Sequence, residues 1–431
     1  MFRSLRYRNA RLFFAGLAVS NVGTWLQLTA MSLLVYRITD GDALTVGINA
    51  GLQFLPMLLL GAWAGAVADT HNRRRMSIIT QSALAAQAIL LGLLDLSGAI
   101  NVPVIFALSL LLGTVNAFDN PARRALVTEL VEPHEIPNAT SLNTAVMTGS
   151  RIFGPALAAV LVGAIGTAWC FLANGFTFAA IIVSLLMIRT AEMYTVPPRP
   201  RGGQPVREGL RWVVGRRDMA LLFGVLVVVS MFAFNYSVSL PKLADERWGG
   251  EDNFGWVLAV TSIGSLTGSL LTARLRRVPM NWLLVNMVIL GAGAIGMAWA
   301  PNIWMAFAWS IPVGVGGAGF ITAANAISQQ ESPSDMRSRL MALQAVAFLG
   351  STPIGGPITG WIADVVSAPW SLAYGGVISL VCAGGAWTYL RARPLDVSTT
   401  SAYEVDEANF ERTVIAGGVI DRSVGVIETR D

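Results

Sequence analysis

Twelve long apolar runs follow one another along the chain, separated by short polar loops. A membrane-spanning helix needs about 20 mostly apolar residues, and every run is long enough for one. None of them shows the apolar–polar alternation of a barrel strand, so the pattern predicts helices. The runs cover residues 10–36, 43–68, 76–97, 102–125, 138–164, 169–189, 218–241, 253–274, 281–300, 303–328, 339–365 and 370–391. We therefore predict an all-α integral membrane protein with twelve transmembrane helices.

The composition supports this class. Apolar residues make up 54% of the 431 residues and charged residues 13%, whereas a soluble domain carries about a quarter charged residues. The first run follows the basic segment "MFRSLRYRNARLFF", which resembles the start of a signal peptide. That run is too long for a signal peptide and contains Asn21, Thr24 and Gln27, so we interpret it as an uncleaved first helix.

The distribution of basic residues predicts the orientation. If the helices alternate in direction, most arginines fall on one side of the membrane. That side holds the segments 3–11, 73–75, 123–124, 189–217, 274–277, 337–339 and 391–393, whereas the other side holds Arg37, Lys242 and Arg247. The positive-inside rule then places both termini in the cytoplasm, as expected of a multi-pass protein of a bacterial cell membrane. The pI of 9.4 reflects this bias, and we expect no nucleic-acid partner.

The sequence does not favour a disulfide framework, a metal site or an enzymatic activity. Cys170 and Cys382 both fall inside predicted helices, so we expect no disulfide framework. His71 and His134 lie in separate loops, and we expect no metal site and no cofactor. The chain lacks the phosphate-binding motif G-x-x-x-x-G-K-[ST] of ATPases and any nucleophile triad. We expect a protein that is not an enzyme and that takes its energy from a gradient or from its solute.

The polar stretches divide the chain into four parts. Residues 1–189 and 218–393 form two six-helix bundles, and residues 190–217 form a cytoplasmic linker rich in proline, glycine and arginine. Within the linker, "VREGLRWVVGRR" predicts a short amphipathic helix on the membrane surface. Residues 394–431 are mixed in charge and weakly apolar, so we expect a mostly disordered cytoplasmic tail.

The two bundles repeat each other. "GSRIFGPALAAVLVGAIGTAW" at 149–169 resembles "GSTPIGGPITGWIADVVSAPW" at 350–370, and Gly154-Pro155 aligns with Gly356-Pro357. Six helices followed by six in the same orientation form a parallel repeat, which places a substrate site at the interface of the bundles. Because proline removes a backbone hydrogen bond from a helix, both Gly-Pro pairs are candidate hinges.

Several stretches resemble the major facilitator superfamily, and more narrowly its drug-exporter and transmembrane secretion effector branch, which includes enterobactin exporters and macrolide efflux proteins. The resemblance covers about residues 1–393 and implies the two-bundle fold named for that superfamily, with helices 1, 4, 7 and 10 around the substrate. It rests on "NVGTWLQLTAMSLLVYRIT" (21–39), "LPMLLLGAWAGAVADTHNRRR" (55–75), "AFDNPARRALVTELV" (117–131), "FGWVLAVTSIGSLTGSL" (254–270) and "RSRLMALQAVAFLGSTPIGGPITGWIAD" (337–364).

The loop after the second helix resembles the superfamily signature G-x-x-x-D-R-x-G-R-R/K. Gly65, Asp69, Arg73 and Arg74 fit it, with Thr70 and Asn72 in place of the usual Arg and Gly. The resemblance implies that Asp69 meets the N-terminus of helix 11, near Ser338 and Arg339, when the cytoplasmic gate is closed. A carboxylate at a helix N-terminus gains about 0.3–2 kcal/mol, so Asp69 would stabilise the outward-open state. The alternative is that Asp69 only marks the end of a helix. Gly65 is expected to permit close helix packing.

Polar residues inside the predicted helices are candidates for the transport pathway, because such groups usually face the bundle interior or a cavity. The alternative for any single Asn or Ser is a hydrogen bond between helices. The polar candidates are Asn21, Thr24, Trp25 and Ser32 on helix 1, Asn116, Asp119, Asn120 and Arg123 on helix 4, Arg151 on helix 5, Asn235, Tyr236 and Ser239 on helix 7, and Asn325 and Gln329 on helix 10. The aromatic candidates Trp25, Phe118, Phe232, Phe234 and Tyr236 suit a bulky, partly apolar solute.

Coupling to protons would need an acid inside the membrane. Asp119 shares a face with other polar residues, and we expect Arg151 on the neighbouring helix as its partner, with Arg123 one turn away. A pair that separates between two open states would link a proton to a conformational change. The competing interpretation is a static pair that ties helix 4 to helix 5. The superfamily's antiporters carry a glycine-rich signature in helix 5, which here reads "GPALAA" with alanines at its end.

These observations favour a secondary transporter that exports amphipathic organic molecules, such as drugs or siderophore-like metabolites, by proton-coupled antiport. One alternative is an importer of a small metabolite, and another is a membrane sensor or scaffold that keeps the fold without transport. We expect the partners to be the lipid bilayer and a small-molecule substrate, and the protein to be a monomer.

Overall fold

The computed structural model describes residues 3–194, 205–333 and 336–392, and it contains helices and no strand within these ranges. Short 3-10 turns cover Arg3–Arg6, Pro133–Glu135 and Thr190–Glu192. The α-helices are α1 (Arg8–Ile38), α2 (Ala43–Thr70), α3 (Arg73–Leu96), α4 (Val102–Glu129), α5 (Ile136–Leu186), α6 (Pro205–Val214), α7 (Arg217–Ala233), α8 (Tyr236–Arg247), α9 (Asn253–Ala273), α10 (Met280–Ala298), α11 (Ile303–Gln330), α12 (Arg337–Leu349), α13 (Thr352–Val365) and α14 (Ala368–Ala392).

Every predicted run is helical, and two runs carry breaks that the apolar pattern does not indicate. In the described chain, ten helical stretches are long and apolar enough to cross a membrane. One of them, α5, contains the fifth and sixth runs, which meet at a kink where Gly166 has the non-helical angles φ 82° and ψ 171°. The seventh run divides into α7 and α8, and the eleventh into α12 and α13.

Side chains in the loops fix where several helices begin. The Asp42 carboxylate accepts a hydrogen bond from the Thr45 amide at 3.2 Å, and Asn72 accepts one from the Arg75 amide at 2.9 Å. These contacts satisfy amide groups that have no partner within the first turn of a helix. The turn before Asp42 is tight because Asp40 and Gly41 both have positive φ, at 49° and 91°.

We call α1–α5 the N-half and α7–α14 the C-half. The end of the bundle that holds Arg73, Glu129 and α6 is called the linker end, and the end that holds the α1–α2 turn is called the far end. Small residues let the helices of the two halves approach closely. A Cβ atom on Gly356 of α13 would lie 2.8 Å from the Gly47 carbonyl oxygen of α2.

Contacts divide the chain into a compact unit over residues 1–386 and a second unit over residues 387–431. The second unit is described over residues 387–392, the last turns of α14. The predicted tail at 394–431 lies outside the described residues. Much of the predicted linker is described, and its predicted amphipathic helix corresponds to α6. Val213 of α6 is buried, whereas Leu210 and Val214 are exposed.

Candidate functional site

A buried carboxylate lies inside the N-half. Asp119 of α4 is fully buried and accepts hydrogen bonds from Thr80 Oγ1 at 2.6 Å and Gln81 Nε2 at 2.9 Å, both on α3. Its cationic partner is Arg123, one turn along α4. Two donors and one cation compensate the charge of the carboxylate, which would otherwise be costly in this position.

Arg123 connects this carboxylate to the predicted amide residues. It is 9% exposed and donates from Nη1 to Asn21 Oδ1 at 3.2 Å and from Nη2 to Asn120 Oδ1 at 3.4 Å. Asn120 in turn donates to the Asn116 carbonyl oxygen at 3.0 Å. The structure thus brings together five predicted residues of α1 and α4 in one polar group.

The expected pair between Asp119 and Arg151 is not formed. Arg123 takes that place, and Arg151 of α5 instead lies against aromatic rings. Its Cζ atom is 5.2 Å from the ring centroid of Trp25 in the N-half and 4.8 Å from that of Phe348 in the C-half. Among the described residues, no carboxylate lies within ion-pair distance of Arg151.

Aromatic residues of the C-half form a series of ring contacts that begins at Phe348, next to this arginine. The Phe234 ring is 5.2 Å from Phe348 and 5.9 Å from Tyr236 between centroids. The break between α7 and α8 falls at Phe234 and Asn235. The Tyr236 hydroxyl is buried and makes no hydrogen bond. Arg151, Trp25, Phe234, Tyr236 and Phe348 are called the arginine–aromatic group below.

Two other predicted aromatic residues contact rings outside this group. Phe118 contacts Trp63, with centroids 5.2 Å apart, and Phe232 contacts Tyr374 at 6.0 Å. Asn235 is 6% exposed and donates to the Met231 carbonyl oxygen at 2.7 Å. Asn325 on α11 is partly exposed. A shared cavity that includes Phe118 and Phe232 stays a prediction.

The predicted gating residues at the linker end hold local contacts. Arg73 forms an ion pair with Glu129 at 2.6 Å, and Arg339 forms one with Glu208 of α6 at 2.7 Å. Arg74 donates to the carbonyl oxygens of Leu185 and Leu186, at the end of α5. The side chains of Asp69 and Ser338 lie outside the described part, so their contact stays a prediction.

The structure does not show the close packing expected at Gly65, because a Cβ atom there would meet no atom of the described residues within 4 Å.

Neither predicted Gly-Pro pair ends a helix. Gly154 packs against the Trp25 side chain and the Val22 carbonyl oxygen of α1, and Gly356 packs against α2 across the halves. The helix breaks occur elsewhere, at Gly166 in α5 and between α12 and α13. Hinge motion at Pro155 or Pro357 stays a prediction.

A polar contact at the far end, which the pattern did not indicate as a site, joins the two halves. Asp364 of α13 accepts hydrogen bonds from the amides of Ala43 at 3.1 Å and Leu44 at 2.7 Å, the first residues of α2. Lys242 of α8 contacts the same carboxylate at 2.5 Å. The carboxylate therefore stabilises the positive end of the α2 dipole. In the sequence, Asp364 lies at the end of the eleventh apolar run, just as Asp69 lies at the end of the second. This position could have indicated the contact.

Further polar contacts join the two halves at the far end. Tyr36 donates to Asp245 Oδ2 at 2.9 Å, and Arg37 contacts Glu251 and Asp252, each at 2.5 Å. Between residues that the structure describes, every hydrogen bond and ion pair joining the N-half to the C-half lies at the far end.

Sequence reasoning also missed the polar face of α3. Thr80 and Gln81 hold Asp119, and Gln87 accepts a hydrogen bond from Gln27 at 3.0 Å. Gln27 itself accepts one from Asn174 at 2.7 Å. The recurrence of polar residues at Thr80, Gln81 and Gln87 on one predicted helix could have indicated this face.

Comparison with known proteins places these features among transporters. The family model described as transmembrane secretion effector matches residues 2–420. The chain is 28% identical over 371 residues to the multidrug efflux pump Tap of Mycolicibacterium fortuitum, covering 82% of this chain and 88% of that protein. It is 25% identical over 291 residues to the staphyloferrin A transporter of Staphylococcus aureus, covering 67% and 72%. It is 22% identical over 372 residues to the enterobactin exporter EntS of Shigella boydii, covering 83% and 86%.

Solved structures share the fold. A bacterial homologue of the human lysosomal transporter Spinster, inward-facing and unoccupied, matches with a TM-score of 0.66 and 16% identity, covering 88% of this chain and 96% of that chain. A POT family transporter in complex with a thioalcohol-conjugated peptide matches with a TM-score of 0.70 and 11% identity, covering 90% and 97%. At these identities the likeness establishes the fold alone.

Proposed function

The chain belongs to the transmembrane secretion effector family of the major facilitator superfamily, and from this premise we propose that it exports amphipathic organic molecules by proton-coupled antiport. The observation that carries the proposal is the closure of the far end. Among the residues that the structure describes, the polar contacts between the halves lie there, around Asp364 and Arg37. Alternating access requires this asymmetry, in which one end is closed while the other can open.

The export direction is supported by the relatives. The proteins with the broadest coverage among those compared are named as an efflux pump and an exporter. We place the linker end in the cytoplasm and the far end outside the cell membrane, because the arginines concentrate at the linker end. The structure then corresponds to a state that is closed to the outside, from which substrate would be taken up on the cytoplasmic side.

The transition to the other state exchanges one helix-end contact for another. The amides of Ala43 and Leu44 would leave Asp364, which opens the far end. At the linker end, Asp69 would then meet the N-terminus of α12. Both contacts set a carboxylate against the positive end of a helix dipole, so each stabilises one state by a comparable amount, about 0.3–2 kcal/mol.

Asp119 is the proposed proton carrier. It is buried, and Arg123 keeps its charge compensated in the present state. Because Arg123 also donates to Asn21 of α1, a movement of α1 relative to α4 would draw the guanidinium away from the carboxylate. The carboxylate would then take up a proton, since an unpaired charge in this position is unfavourable.

Accumulation in whole bacterial cells tests the proposal. Cells lacking their main efflux pumps would be exposed to a panel of fluorescent drugs, antibiotics and labelled siderophores, with and without the gene. We expect the gene to lower the accumulation of amphipathic members of the panel, and collapse of the proton gradient to restore it. Higher accumulation with the gene would indicate import, and unchanged accumulation across the panel would contradict transport of this class.

A further inference from the structure

Arg151 is a cation of a membrane-spanning segment, and the described part of the chain gives it no counter-charge. It lies midway along the bundle, between Trp25 of the N-half and Phe348 of the C-half. In the described ranges, its contacts are with aromatic rings and with no acid within ion-pair distance. Cation–π contacts compensate such a charge in part. A cation in the membrane interior usually pairs with an acid or marks the path of a ligand.

Arg123 provides the internal comparison. It too is an arginine within a transmembrane helix of the N-half, but it pairs with Asp119 and donates to two asparagines. Its charge is therefore satisfied within the protein. Arg151 differs in having a guanidinium whose hydrogen-bond donors are available to a ligand.

A second polar group without a partner belongs to the same cluster. The Tyr236 hydroxyl is buried and makes no hydrogen bond. Its ring contacts Phe234, which contacts Phe348, whose ring lies under Arg151. The rings of Phe234 and Phe348 thus connect Tyr236 to Arg151. Buried hydroxyls nearly always have partners, so this one indicates a ligand atom that completes the site.

We propose that Arg151 and Tyr236 form the receptor for the acidic group of an organic anion, and that its apolar body lies against Trp25, Phe234 and Phe348. The inference rests on the proposed function and names its substrate class. A guanidinium presents paired donors that match a carboxylate. A tyrosine hydroxyl adds a third donor, and aromatic faces suit an apolar or aromatic body.

The same geometry argues against other substrates. A cationic amphipath would meet a like charge at Arg151, and a neutral one would leave the guanidinium and the hydroxyl without partners. An anion also draws the guanidinium away from Phe348, the ring contributed by the C-half. Binding would thereby loosen a contact between the halves in the middle of the membrane, as a transported substrate must.

Binding of three matched probes to the purified full-length protein in lipid nanodiscs tests the receptor. Pyrenebutyrate, pyrenebutanol and a pyrenebutyl trimethylammonium ion share one aromatic body and differ in charge. The wild-type protein should bind the carboxylate roughly 10- to 100-fold more tightly than the alcohol, the range expected for hydrogen bonds to a charged group. The cation should bind most weakly.

The variants separate charge recognition from structure. Arg151→Gln should bring the affinity for pyrenebutyrate down to that for pyrenebutanol and leave the alcohol within roughly twofold of wild type. Arg151→Lys should retain part of the preference, and Tyr236→Phe should weaken the carboxylate several-fold while sparing the alcohol. Arg75→Gln, which removes an exposed arginine at the linker end, is the control for net charge and should match wild type.

Three results would overturn the receptor: equal affinity of the wild type for carboxylate and alcohol, no binding of pyrenebutyrate, or an equal loss of all probes in well-folded Arg151→Gln and Arg151→Lys. The proposed function is judged separately by transport. Gradient-driven transport without a preference for anions would refute the receptor and leave export intact. Anion binding that depends on Arg151, without transport of any probe, would support the receptor and refute export.

Discussion

At the residue scale, the pair of Asp119 and Arg123 is the proposed link between protons and transport. Asp119→Asn removes the titratable group, but its amide oxygen can still accept from Gln81 and its amide nitrogen can donate to the Thr80 hydroxyl, the two groups that donate to the present carboxylate. We expect the variant to fold, to exchange substrate across the membrane without a gradient, and to lose efflux driven by a pH gradient. Efflux from proteoliposomes with and without an imposed gradient measures this.

A static role for the pair gives a different pattern. The variant would then lose expression or thermal stability, and any surviving protein would keep its response to pH. Asp95→Asn is the matched control. Asp95 is an acid of α3 near the far end that accepts a hydrogen bond from Thr167, and it should leave gradient-driven efflux unchanged.

Asp42 offers a pH-dependent test of the far end. Burial by itself raises the pKa of this carboxyl, but hydrogen bonds with the side chains of Thr45 and Asp364 and with the amides of Thr45 and Leu44 outweigh burial and hold the pKa below its ordinary value of 3.8. The carboxylate therefore contributes its full stabilisation above that ordinary value, and the contribution is lost as pH falls through the lower folded-state pKa.

Replacing Asp42, whose side chain caps the start of α2, should reveal this dependence of stability on pH. Asp42→Ala removes the side chain that accepts from the Thr45 amide and should cost about 1 kcal/mol at neutral pH. In thermal unfolding scans the gap between variant and wild type should stay constant from about pH 7 to about pH 4 and narrow below it. Asp40→Asn, at an exposed position in the same turn, serves as control. A gap that widened on acidification would refute the assignment.

Residue periodicity located Asp119, Arg123, Asn21 and Asn120 but assigned the wrong partner to Asp119. A period of 3.6 identifies which side chains share a face of one helix, and it does not identify the neighbouring helix that the face contacts. Arg123, four residues from Asp119 on the same helix, was the partner that local geometry favoured. The α3 residues Thr80 and Gln81 could be assigned to Asp119 only once the packing was known.

At the element scale, two helix-end contacts are proposed to oppose each other. Asp364 binds the start of α2 in the present state, and Asp69 is predicted to bind the start of α12 in the other. Asp364→Asn should therefore shift the population towards the state open at the far end, and Asp69→Asn towards the state open at the linker end. Each shift should be roughly 2- to 30-fold, following the energy of a charge at a helix end.

Cysteine labelling can read both shifts. Asn325→Cys on α11, in a background with Cys170→Ser and Cys382→Ser, would be exposed to a membrane-impermeant maleimide added at the linker end. Asp69→Asn should speed labelling, and Asp364→Asn should slow it. Lys242→Gln, which removes the other contact of Asp364, should follow Asp364→Asn in direction. Shifts of the same sign from Asp69→Asn and Asp364→Asn would contradict opposing contacts.

The apolar pattern predicted the helices well because lipid requires long, uninterrupted apolar segments. It did not predict the breaks at Phe234–Asn235 or between α12 and α13, whereas the kink at Gly166 lies between the fifth and sixth predicted runs. A break buried in the protein needs no change in hydrophobicity, since neighbouring groups satisfy the freed backbone. The break at Phe234–Asn235 is the one that lies within the arginine–aromatic group.

At the scale of the whole molecule, the internal repeat and the signature motifs were enough to identify the fold. They did not indicate which end of the bundle is closed. The two open states of a transporter share one sequence and one hydrophobic pattern, and they differ by a few contacts between packed halves. In this structure those contacts include Tyr36 with Asp245 and Arg37 with Glu251, residues that look like ordinary loop charges in the sequence.

Movement of a solute against its own gradient, driven by protons moving the other way, defines an antiporting exporter. The purified full-length protein would be reconstituted in liposomes with pyrenesulfonate and a pyrenyl trimethylammonium ion, whose fixed charges prevent passive redistribution with pH. With equal probe on both sides and protons moving in through the far end, at least one probe should accumulate on the far-end side, and Asp119→Asn should abolish this. Accumulation on the linker side, or no accumulation beyond that of protein-free liposomes, would contradict proton-driven export.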